Sequence, residues 1–361
     1  MRTAVVSDLH LGTTLGSDLV RRSEPRHALL SALEDADQVV LLGDVLELRQ
    51  GPVAAAVDAA RPFLEELGGA LEGRRLVIVP GNHDQQLVSG MLERARVAGE
   101  TLGLERVVEP SCAGPLAERV AECLRPASLE LAYPGLWLRD DVYATHGHYL
   151  DAHLTIPRVE CLAAGVVRKL VGPLPAGRAS ASDYERILGP VYALAFALAQ
   201  GSSPRRGLAA TQLSTRVWKR LDGAPSRDLG ARVLGGVVIP GVVAGLNRAG
   251  LGPFTANLTG EELRRSGLAA MGEVVERLGI EADHVLFGHT HRPGPLPGEE
   301  GFEVLGGPRL MNTGSWIREG ALAGHDLELS PYRPGLVCRV DETGPPRLEN
   351  VLDSAVLART A

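Results

Sequence analysis

Residues 3–10, TAVVSDLH, decide how this chain is read. Residues 3–7 (TAVVS) form a short apolar run that ends in a polar pair. Such a run reads as a buried strand delivering Asp8 and His10 at its carboxyl end. On an extended backbone residues i and i+2 point the same way, so a carboxylate oxygen and an imidazole nitrogen can meet one cation. Taken alone, D-x-H equally fits a turn aspartate beside a packed histidine.

Working outward, the same unit recurs four times. Residues 38–42 (QVVLL) deliver Gly43 and Asp44, and residues 75–79 (RLVIV) deliver Pro80, Gly81, Asn82, His83 and Asp84. Residues 142–145 (VYAT) deliver His146-Gly147-His148, and residues 284–287 (HVLF) deliver Gly288-His289-Thr290-His291. Between the early strands, Val57, Leu64 and Leu67 fit one helical face, with Pro62 expected to start or kink a helix there. Strands alternating with helices imply a layered α/β core, in which ligands collect beyond the carboxyl ends of the strands.

The delivered side chains share one chemistry. Asp44 can bridge two cations at the ~3.5–4 Å spacing of two-metal sites. Asn82 adds a neutral amide oxygen, and the histidines add imidazoles. Carboxylate, amide oxygen and imidazole together suit Mn, Fe or Zn, whereas calcium prefers oxygen alone.

Residues 1–150 and 279–361 therefore read as a catalytic core, and 151–278 as a helical insertion or cap. Ser182 with Glu185, and Thr259 with Glu262, have capping-box spacing ahead of apolar residues at helical intervals. The run VLGGVVIPGVVAGL (233–246) falls short of the ~20 apolar residues that span a bilayer. It reads as the insertion's own core, a homodimer interface or a peripheral membrane contact. Beyond residue 301, RLMNTG and GLVCRV suggest strands completing a second sheet.

A net charge of -7 and the absence of a basic stripe argue against nucleic acid as partner or substrate. The four cysteines include no C-x-x-C pair, so neither a zinc knuckle nor a disulfide framework is expected, and a reducing cytoplasm fits. No long apolar run precedes the first polar cluster, so no secretory leader is expected.

The order D-x-H, G-D, G-N-H-D, H, G-H-x-H resembles the calcineurin-like metallophosphoesterase family, over roughly 1–150 and 279–316. That resemblance implies a four-layer αββα sandwich holding two divalent cations. Asp8, His10 and His291 would hold one; Asn82, His146 and His289 the other; Asp44 would bridge them. It further implies that hydroxide held between the cations attacks a phosphate ester. His83 would protonate the leaving oxygen, with Asp84 orienting it. His148 is a substrate contact or an alternative ligand, and Arg292 either holds a phosphate oxygen or makes a surface salt bridge. Glu47 either orients the site or caps a helix, and Asn312 and Ser315 are expected behind the ligands.

Within the family, SDLHLG and GDVLELR resemble the UDP-diacylglucosamine pyrophosphatase branch. The chain departs from that branch in reading G-N-H-D for G-N-R-D, in reading H-G-H for H-G-D, and in its longer insertion. The expected substrate is a phosphate mono- or diester, either a small molecule or lipid-linked. The alternatives are a protein Ser/Thr phosphatase, a cyclic-nucleotide phosphodiesterase and a non-catalytic scaffold.

Overall fold

β1 (Thr3–Val6) is buried along its whole length and runs parallel to β2 (Gln38–Leu41), with Thr3 opposite Gln38 and Val6 opposite Leu41. The parallel ladder continues to β3 (Arg75–Ile78) and from there to β5 (Ser128–Ala132). Runs of Val, Leu and Ile without polar alternation are what a parallel sheet covered on both faces requires. Antiparallel strands finish the edges: β4 (Val107–Val108) on β5, β10 (Leu336–Val340) on β1, and β11 (Arg347–Asn350) on β10. The seven-stranded order is β11-β10-β1-β2-β3-β5-β4. A second sheet holds β6 (Gly135–Arg139), β7 (Val142–Thr145), β8 (His284–Phe287) and β9 (Arg309–Asn312), in that order.

The two sheets face each other. Val5, Val40, Val77 and Cys338 of the first share one buried cluster with Leu136, Ala144, Leu286 and Met311 of the second. The alternate residues of the first sheet, Val6, Val39, Leu41 and Ile78, are also buried, so its outer face is covered as well. The RLMN strand completes the second sheet as expected, but LVCRV pairs antiparallel with β1 in the first. Periodicity shows that a strand needs burial; it does not say which sheet supplies it.

Helices α1 (Ser23–Leu33), α2 (Val53–Ala70), α3 (Ser89–Ala98), α4 (Pro110–Ala113) and α5 (Pro115–Cys123) join the strands. Val57, Leu64 and Leu67 lie on the buried face of α2, which runs through Pro62 without ending. Pro62 is on the exposed side, where water can serve the carbonyl that its missing N–H leaves open.

The computed structural model describes residues 1–201, 239–257, 259–318, 330–353 and 356–357. The chain divides into two units, Met1–His148 with Ile280–Ala361, and Tyr149–Gly279. The described helices of the second unit are α6 (Val159–Val171), α7 (Ala181–Gln200), α8 (Ile239–Arg248) and α9 (Gly260–Leu278). Thr259 caps α9 by accepting from Glu262 N. The box at α7 is Ser180 with Asp183, two residues before the expected pair. Residues 233–238 of the apolar run lie outside the described residues. Among the described residues no helix is long and apolar enough to cross a membrane.

In this unit Tyr149 stacks on Tyr184, whose hydroxyl lies 2.8 Å from His153 Nε2. Burial pushes the His153 imidazole down to about 4, against the opposing pull of Glu273. The unfolded chain then takes up a proton between about pH 6.5 and pH 4 that the folded unit refuses, so stability falls as pH drops through that window. The expected loss is about 1–3 kcal/mol. Urea unfolding from pH 7 to pH 4 checks it, and His153→Gln should flatten the slope.

Candidate metal centre

The pairing of β1 with β2 does not stop where the strands end. Asp8 N donates to Gly43 O (3.0 Å), His10 N to Asp44 O (2.8 Å), Leu11 N to Val45 O (2.9 Å) and Glu47 N to Leu11 O (2.9 Å). This extension fixes Asp8, His10, Asp44 and Glu47 beside one another. Two further bonds join the remaining loops: Gly288 N donates to His146 O at 2.9 Å, and His289 N to Asp8 Oδ1 at 3.1 Å.

Asp8, His10, Asp44, His289 and His291 all have φ between 45° and 65°, and they are the non-glycine residues with positive φ among the described residues. Residues in this left-handed region cost of order 1–3 kcal/mol each and persist where surrounding contacts hold them. All five bear candidate donor atoms.

Those atoms form two groups that share Asp44. One is Asp8, His10, Asp44 and His291; the other is Asp44, His146 and His289. Asn82 Oδ1 lies 3.2 Å from His146 Nε2 and 3.0 Å from His289 Nδ1, which puts the amide in the second group. His10 Nε2 and His291 Nε2 face each other at 3.1 Å, and Asp44 Oδ2 is 3.3 Å from His146 Nε2. Two buried carboxylates and four imidazole nitrogens converging without thiolate suit a pair of divalent transition cations.

Electrostatics reinforce the geometry. Burial alone would raise the Asp44 carboxyl, but the neighbouring His146, His83 and His10 hold it well below the ordinary carboxylate range. Burial likewise works against charge on His146, yet Asp44 and Asp8 bring it to about 9. His148 goes the other way: burial, then the charges of His146 and His289, push it well down.

A third grouping, His10, Glu47 and His83, is also tight, but Glu47 is already saturated by donors. It accepts from Arg49 N (2.9 Å), Gln50 Nε2 (3.0 Å), His83 Nδ1 (2.9 Å) and His10 Nδ1 (3.2 Å). It is therefore an orienting carboxylate, and the helix-cap alternative falls away. Burial would raise Glu47, but the His83 charge and the bonds from His10 and His83 bring it far below the carboxylate range.

The expected partner of His83 thus changes. Asp84 accepts from the backbone of Gly81 (2.7 Å), Val45 (2.7 Å) and Leu46 (3.3 Å), so it clamps two loops together. His148 is buried, with Nε2 3.1 Å from the Tyr133 hydroxyl. Arg292 pairs with Glu299 at 2.5 Å. Asn312 donates to Gly288 O and Thr290 Oγ1 behind the GHTH loop, and Ser315 is buried beside Trp316, whose backbone N–H donates to Asp8 O. Gln50 and Tyr133 were not legible in the sequence: nothing in their local pattern marks them.

Glycine at position 81 is required by crowding. A Cβ there would lie 2.3 Å from Asp44 Oδ1 and 2.6 Å from His146 Cδ2, although its φ suits any residue. Gly81→Ala should therefore fold but lose metal on dialysis. Gly69→Ala, with open space around it, should bind metal like the parent. Elemental analysis checks this, and a full metal complement in Gly81→Ala would show that the centre has slack.

Residues 1–175 match the model of the calcineurin-like phosphoesterase family. No curated protein matches the chain. Among solved structures, the chain is similar to a dimetal phosphatase from Danio rerio, at 11% identity over 98% of this chain and 99% of that one, with a TM-score of 0.32. That likeness is slight, so the assignment rests on the family match and on the donor groups. The match stops before His289 and His291, which the fold nonetheless brings to the same groups. Over residues 1–175, just under half of its length, the chain is similar to the calcineurin-like phosphoesterase family, and that stretch supplies Asp8, His10, Asp44 and His146 to the two donor groups.

Proposed function

We propose that the protein hydrolyses a phosphate mono- or diester at this centre, with Mn, Fe or Zn as its cation pair. The observation that carries the reading is the sharing of Asp44 between two buried donor groups. Asp8, His10 and His291 would hold one cation, and Asn82, His146 and His289 the other, with Asp44 between them. When bound, such a pair lowers the pKa of water toward neutrality and offsets charge that builds on phosphate oxygens.

His83 is the proton carrier. Its side chain is 22% exposed, against 16% for His291 and 6% for His10, so among these imidazoles it is the one open to a substrate. Nδ1–H donates to Glu47, which leaves Nε2 to carry the proton to the leaving oxygen. Burial disfavours the imidazolium, but the charges of Glu47 and Asp44 more than offset this and raise its pKa. Arg292 is engaged by Glu299.

With Mn supplied, the protein should hydrolyse aryl phosphate mono- or diesters, and Asp44→Asn should abolish turnover. Retained activity in that variant would remove the bridging role. His83→Asn should cost about 10²–10⁴-fold on phenyl esters and much less on p-nitrophenyl esters, whose leaving group needs no proton. An equal loss on both would assign His83 to binding instead.

For the natural substrate we favour a lipid-linked phosphoester. The stretches SDLHLG and GDVLELR are the features that favour it. The protein should then show a higher kcat/KM on a nucleotide-diphospho-lipid than on small phosphoesters, and the reverse order would point to a small soluble substrate.

A further inference from the structure

We propose that Gln50 is a positioning residue of this centre, holding one carboxylate, Glu47, in register with both the metal ligand His10 and the proton carrier His83. The inference rests on the phosphoesterase reading above. Gln50 is buried, and both ends of its amide are used. Nε2 donates to Glu47 Oε2 at 3.0 Å. Oε1 accepts from Thr13 Oγ1 (2.9 Å), Thr14 N (3.1 Å) and Thr14 Oγ1 (3.1 Å). Thr13 N in turn donates to His10 O at 3.1 Å. The amide therefore ties the turn that follows His10 to the carboxylate that receives the His10 ring.

The consequence is orientational. A Glu carboxylate turns about a soft terminal torsion unless its oxygens are pinned. Here Arg49 N holds Oε1 and Gln50 Nε2 holds Oε2. The pinned carboxylate fixes Nδ1–H on both rings. His10 Nε2 then keeps its lone pair toward Asp44, 3.6 Å away, and His83 Nε2 stays available for the proton. The rings sit edge to face at 4.7 Å, so a rotation of Glu47 disturbs both. Partners of this kind behind a ligand histidine typically contribute 10–100-fold in metal affinity or activity.

Gln50→Met keeps the volume and removes every hydrogen bond, while Gln50→Glu sets a second carboxylate against Glu47. In the full chain, Mn titration by calorimetry should show one of two sites weakened about 10-fold in both variants, with the other nearly unchanged. In the Mn-loaded enzyme, kcat for phenyl phosphate should fall about 10-fold or more at constant KM, with p-nitrophenyl phosphate falling less than about 3-fold. A purely structural residue would instead lower Tm and reduce both sites and both esters together, and that result overturns the proposal. So do parent-like affinity and an unchanged ratio between the esters. If Gln50→Met does not fold, Gln50→Glu and Thr13→Val carry the same comparison. If the parent hydrolyses no phosphate ester, the functional reading fails, while the Mn titration still decides for or against Gln50.

Discussion

The continuation of the β1–β2 hydrogen bonds beyond the ends of the strands is the constraint on which the centre depends. Inside the sheet these bonds place apolar side chains. Beyond it, the same pattern carries Asp8 and His10 alongside Gly43, Asp44 and Val45. Left to themselves, Asp and His prefer negative φ, so five left-handed residues would relax. Three of them are held because their amides are bound to neighbouring loops: Asp8 to Gly43, His10 to Asp44, and His289 to the Asp8 carboxylate. The rigid parallel sheet supplies the leverage, and the strained loops convert it into convergence of side chains that sequence keeps up to 283 positions apart.

Much of this was legible in the sequence because each piece has its own local signal. Apolar runs ending in Asp, Asn or His mark β1, β2, β3, β7 and β8, and the donor residues at their ends do gather. What could not be read depends on direction rather than on position. Asp84 follows His83, and adjacency suggested a pair. Neighbouring residues on an irregular turn point apart, however, and the Asp84 carboxylate turned inward to three amides. Glu47, distant in sequence from His83, reaches it because the extended pairing puts Leu46 beside Leu11. The box at α7 shows a similar limit: Ser180 with Asp183 and Ser182 with Glu185 have the same spacing, and only the backbone decides which starts the helix.

The four buried carboxylates of the region show how role follows partner. Each must be compensated, since burying an unpaired charge is costly. Asp84 is compensated mainly by backbone amides; burial and the like charge of Asp44 push it up to about 6, and it does the work of a loop clamp. Asp8 and Asp44 each accept a backbone amide, His289 N and His83 N respectively, and face imidazoles with their remaining oxygens. Imidazoles can give up their protons and turn lone pairs toward a cation, whereas amides cannot. The carboxylates whose compensation is removable are therefore those that can exchange it for metal.

Glu47 stands between these cases. It faces two imidazoles as Asp8 and Asp44 do, yet its oxygens are also pinned by the Arg49 amide and the Gln50 side chain, as a clamp's would be. A carboxylate so saturated has nothing left with which to bind a cation, but it can dictate which nitrogen of each neighbouring ring carries hydrogen. That distinction separates two kinds of acidic residue that sequence cannot tell apart. It also explains why Asp44 and Glu47, three residues apart on one loop and both buried, do different work: one is placed where its charge can be shared, the other where its direction is fixed.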